Sequence, residues 1–144
     1  MSRLPPTASL AVLALLTAAP ALAADRATVA VSCVPAGSSL VFDCTFRLTN
    51  ARTGAPLDGA ELTVGADMPS MPLAHNVRPV AAKPTGAPGE YTARLELEMT
   101  GDWALRIKVG GPLRDQLVEV LSFTEDAAGP PARKAGRPRP GDRR

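Results

Sequence analysis

Glu90-Tyr91-Thr92-Ala93-Arg94-Leu95-Glu96-Leu97-Glu98-Met99 alternates without a break. Tyr91, Ala93, Leu95, Leu97 and Met99 occupy one phase, and Thr92, Arg94, Glu96 and Glu98 the other. A period of two is what a β-strand with one face in a core imposes on its side chains. Thr100-Gly101-Asp102 follows, with a glycine available for positive φ. Beyond it Trp103, Leu105, Ile107 and Val109 alternate with Ala104, Arg106 and Lys108, so the spacing predicts a hairpin with two amphipathic arms. Gly110-Gly111-Pro112 marks a further turn. Residues 116–123 give a last strand whose apolar residues occupy both phases, the pattern of a strand covered on both sides.

Upstream the same period recurs. Leu40, Phe42, Cys44, Phe46 and Leu48 alternate with Val41, Asp43, Thr45, Arg47 and Thr49, residues 28–33 form another strand-like run, and residues 60–64 a third. Residues 77–88 contain Pro79, Pro84, Gly86 and Pro88 and are expected to be extended and irregular. No segment carries a helical period over ten residues. Six or seven short strands separated by Gly/Pro turns predict an all-β chain folded as an antiparallel β-sandwich.

The two ends read differently from this body. Arg3 supplies a short positive region, residues 10–16 an apolar one, and Ala21-Leu22-Ala23 the small-x-small pattern of signal-peptide cleavage. Residues 1–23 are therefore expected to be a signal peptide cleaved after Ala23, which makes the chain an exported one, periplasmic or secreted. About 120 residues remain, enough for one domain with a single modest core, placed at residues 24–126. Residues 25–126 carry nine basic and thirteen acidic residues, whereas residues 127–144 carry six basic and one acidic. The tail at 127–144, rich in Pro, Gly and Arg, is expected to be disordered. A solvated tail and one lying on an anionic membrane surface both fit it. The acidic body, with one Trp, one Tyr and three Phe, excludes a nucleic-acid footprint and a stacking platform.

Export places the two cysteines in an oxidising compartment. Folding the first two strands about Ser38-Ser39 sets Cys33 opposite Cys44, which predicts a disulfide worth about 3 kcal/mol by chain entropy.

Ala66-Asp67-Met68-Pro69-Ser70-Met71-Pro72-Leu73-Ala74-His75 holds two of the four methionines and the only histidine, between two strand-like runs. Neither strand pairing nor a helix accounts for those residue types. Thioether sulfur and imidazole suit copper, so Met68, Met71 and His75 form a candidate copper site, with Asp67 as an added oxygen donor for Cu(II). The same methionines also fit as fillers at one end of the core, and Met99 has the phase of a core residue. Tyr91 reads as a corner tyrosine, Trp103 as core, and Glu96 and Glu98 as a solvated charged face.

The series Gly54-x-Pro56-Leu57-x-Gly59-Ala60-x-Leu62-x-Val64, then Met68-Pro69-x-Met71-x3-His75, Gly89-x-Tyr91 and Met99-x-Gly101-x-Trp103-x-Leu105 resembles the YtkA-like domain, a family related to the FixH-like proteins. The resemblance covers roughly residues 27–123. It implies an immunoglobulin-like sandwich and, by association, metal handling beside a membrane-associated efflux or oxidase-assembly protein. Family loops often place the histidine closer to the second methionine, whereas here Pro72-Leu73-Ala74 intervenes. No Ser/His/Asp or Cys/His arrangement, paired carboxylate or phosphate loop is present, so a catalytic role is not expected. The two functions carried forward are a periplasmic copper-binding protein and a non-catalytic interaction module.

Overall fold

The computed structural model describes residues 25–132, within which every regular element is a strand. These are β1 (Ala27–Pro35), β2 (Val41–Asn50), β3 (Glu61–Asp67), β4 (Asn76–Ala81), β5 (Lys83–Pro84), β6 (Glu90–Glu96), β7 (Gly101–Gly110), β8 (Asp115–Phe123) and β9 (Ala128–Gly129). They form two antiparallel sheets, β1-β2-β6-β5 and β4-β3-β7-β8-β9, packed as an immunoglobulin-like sandwich. The expected fold class is thus the observed one. The two-residue strands β5 and β9 take the number past the six or seven expected.

The alternating phases settle which side chains meet between the sheets. Phe42, Cys44, Phe46 and Leu48 of β2 are buried against Leu105 and Ile107 of β7 and their neighbours, and Phe42 meets Phe123 of β8 edge-on, with ring centroids 4.9 Å apart. Burying each such aromatic ring contributes about 2 to 3 kcal/mol. Cys33 pairs with Cys44 in the β1–β2 register, and the two sulfurs form the expected disulfide across a Cα separation of 4.0 Å. A polar link also crosses between the sheets. The backbone N–H of Ala27 donates to Asp115 Oδ2 at 3.0 Å, tying β1 to β8.

Gly89 and Tyr91 close a corner. The Tyr91 hydroxyl donates to the Leu57 carbonyl at 2.8 Å and accepts the Ala60 N–H at 3.0 Å. Gly89 has a φ of +65°, and a Cβ there would lie 2.6 Å from the Leu48 carbonyl oxygen. Only glycine allows that approach.

Several expectations need correction. The arms around residues 100–102 do not form a hairpin: β6 pairs with β2 and β5, whereas β7 pairs with β3 and β8. Alternation tells a strand which face is buried but not which strand lies beside it, and residues 97–100 carry the chain from one sheet to the other. The first arm is also shorter than read, ending at Glu96. The last strand, β8, is not covered on both sides, since Val118 and Val120 are 50% and 38% exposed on its outer phase. Finally, residues 127–129, read as the start of the tail, belong to the fold. Thr124 N–H donates to the Ala127 carbonyl, and the turn brings Ala128 and Gly129 against Phe123 and Ser122. Small side chains gave this strand no pattern to read. The segment 1–23 and the tail from residue 133 lie outside the described residues.

The proline-rich stretch 77–88 forms β4 and β5 rather than an irregular loop. Both are edge strands, where a missing N–H costs no ladder bond. Proline in fact marks every edge: Pro35 ends β1, Pro79 interrupts β4, Pro84 ends β5, and Pro130 directly follows β9.

Candidate metal centre

The strand phase of β3 divides its last residues between two sides. Asp67 falls on the outer phase, where its Oδ2 accepts the Arg106 Nε–H at 2.6 Å, so the oxygen donor read from the sequence is held by an arginine. Met68 falls on the inner phase and is 4% exposed. Its terminal methyl lies where a Cβ on Gly101 would be, within 2.8 Å. The absent side chain at Gly101 is what lets Met68 fill this end of the core.

The loop beyond Met68 is tied to itself. Met68 N–H donates to the His75 carbonyl at 3.4 Å, Met71 N–H to the Met68 carbonyl at 3.0 Å, and Ala74 N–H to the Met71 carbonyl at 3.3 Å. Residues 68 and 75 therefore face each other across the mouth of the loop, with residue 71 held above them by a turn. Met71 is 36% exposed, and Leu73, with a φ of 69°, is almost fully exposed at the tip. The loop thus joins the backbones of the three predicted ligands while placing Met68 inside and Met71 outside.

His75 brings in a partner that sequence reading missed. Its Nδ1 lies 2.7 Å from Glu98 Oε2, on the connection that carries the chain between the sheets. An ionised carboxylate accepts a hydrogen bond from Nδ1–H, which favours the tautomer whose free lone pair is on Nε2. Glu98 was read only as a member of a solvated face with Glu96. The missing signal is topological, because alternation alone does not show that residues 97–100 cross between the sheets beside the methionine loop. The same connection holds Met99, partly buried against the core, whose carbonyl accepts the Trp103 Nε1–H at 3.1 Å. Two connections, 68–75 and 97–100, therefore gather three methionines, one histidine and one carboxylate at one end of the sandwich.

A family model described as YtkA-like matches residues 23–108, more than half of the chain. The chain belongs to the YtkA-like family. Within this YtkA-like domain the match takes in β1 to β6, most of β7 and the whole methionine and histidine loop, while β8 and β9 lie beyond it. Searches of curated proteins and of solved structures found no match.

Proposed function

We propose that this YtkA-like chain is exported to the periplasm and handles copper there without catalysing a reaction. The carrying observation is the hydrogen-bonded loop that sets residues 68 and 75 face to face with residue 71 between them. Two thioethers and one imidazole suit Cu(I). Glu98 supports the assignment, since a carboxylate on the far ring nitrogen orients a ligating histidine. In this arrangement Met71 and His75 are the accessible donors and Met68 supplies the inner wall of the site. The disulfide accords with an oxidising compartment.

Competition against a Cu(I) chelator tests the proposal. The wild type is expected to bind one equivalent, and a Met68→Leu/Met71→Leu variant, which keeps apolar volume while removing both sulfurs, to bind at least about tenfold more weakly. Equal affinity in the two proteins would sink the copper role.

Val118 and Val120, exposed side by side on the outer phase of β8, favour a second reading. In it the sandwich is a non-catalytic accessory module whose β8 face docks on a membrane-associated efflux or oxidase-assembly protein.

A further inference from the structure

On the outer face of the second sheet the β3–β4 register slips. Val64 pairs with Val80 and Ala66 with Val77, so Arg78 and Pro79 together stand opposite Gly65. Pro79 has no N–H to offer the ladder, which gives the bulge a local cause. Gly65 adds no side chain, and the result is a depression of about 320 Å³ lined by Gly65, Val77 and Pro79 together with Arg78, Arg106 and Lys108. In the β3–β7 register Arg106 lies opposite Gly65 and Lys108 opposite Thr63, so two cations share one strand face beside the dip. Arg106 engages Asp67 at 2.6 Å. Arg78 and Lys108 have no carboxylate partner among the described residues. Three cations thus surround an apolar hollow that holds one carboxylate.

We infer that this hollow is a binding site for a small organic anion, a single carboxylate on a short apolar body. A guanidinium fork matches a carboxylate in geometry, and the lysine adds a point charge. The apolar part of the ligand lies over Gly65 and against Pro79. An added peptide strand fits poorly, because Pro79 and the bulge interrupt the free edge of β4. The site uses the outer phase of β3, whereas Met68 is on the inner phase, so it is independent of the copper proposal.

Titration of the purified chain with hexanoate, followed by amide NMR shifts, tests the inference, with hexanol and inorganic phosphate as comparison probes. Saturable shifts centred on residues 63–66, 77–80 and 106–108 are expected, with a Kd of roughly 1 mM or tighter. Hexanol is expected to produce none, and phosphate to bind at least about tenfold more weakly because it leaves the apolar wall uncovered. Arg78→Gln/Lys108→Gln, two exposed substitutions that spare the core, is expected to lower hexanoate affinity about tenfold. Gly65→Val is expected to abolish binding by filling the hollow. Gly65→Ala serves as its folding control, since a Cβ at residue 65 meets Pro79 Cγ at an ordinary 3.6 Å. Absence of saturation by hexanoate, shifts centred elsewhere, phosphate binding as tightly as hexanoate, or unchanged affinity in the double variant would each overturn the site.

Discussion

Tyr91 and Gly89 hold the corner of the sandwich by different means, and substitution separates them. Tyr91→Phe keeps the buried ring but strips the Leu57 carbonyl and Ala60 N–H of their shared partner. Stranding those groups is expected to cost about 1 to 2 kcal/mol, a fall in melting temperature of roughly 4 to 8 °C measured calorimetrically. Gly89→Ala is expected to cost more. It adds a Cβ 2.6 Å from backbone oxygen as well as a side chain at positive φ, and neither the Leu48 carbonyl nor the strand behind it can swing aside as a flexible side chain would. If the alanine variant melts no lower than the phenylalanine one, close approach at residue 89 is not what holds the corner.

At the scale of elements, the β1–β2 hairpin is already closed by its ladder, and the disulfide adds its effect through the unfolded chain. Cys33→Ala/Cys44→Ala is expected to lower stability by up to about 3 kcal/mol for a link spanning 11 residues, read from urea unfolding. A loss below about 0.5 kcal/mol would mean that the hairpin persists when the rest unfolds. This pairing was legible in the sequence because the two cysteines share a phase with Phe42 and Phe46. The inner face of β7, the corner tyrosine and the buried Trp103 were legible for the same reason. Sheet membership was not. Glu96, Leu97, Glu98 and Met99 keep the period of two up to the crossing, so nothing in their order shows where pairing stops. For the candidate site the consequence was direct: Met68, Met71 and His75 could be picked out by residue type, but Glu98 and Gly101 became neighbours only once the crossover was known. The edge strand β4 was hidden by Pro79, and the open face of β8 by valines that looked internal.

For the molecule as a whole, acid is expected to loosen the joint between the sheets. The backbone N–H of Ala27, assisted by that of Gln116, holds the Asp115 carboxyl below the ordinary aspartate range. A pKa depressed in the folded state contributes stability that is present above about pH 4 and lost as pH falls through the folded value. Asp43 beside Arg94 and Glu90 beside Arg47 are shifted in the same direction, so they add to the slope without crossing between the sheets. Asp115→Asn keeps an acceptor for Ala27 and removes the titration. Its melting temperature is expected to fall less than that of the wild type between pH 5 and pH 3; identical slopes would place the acid sensitivity elsewhere. The prolines at the four sheet edges act at this same scale but between molecules. A row of free N–H and C=O groups is a template on which another chain can grow, and here each edge carries or adjoins a residue that cannot donate, with Pro79 inside the row of β4 itself. The protein is therefore expected to remain clear and monodisperse in concentrated solution, whereas Pro79→Val, which restores a donor on β4, is expected to yield larger species in light scattering and a thioflavin-positive deposit on prolonged storage.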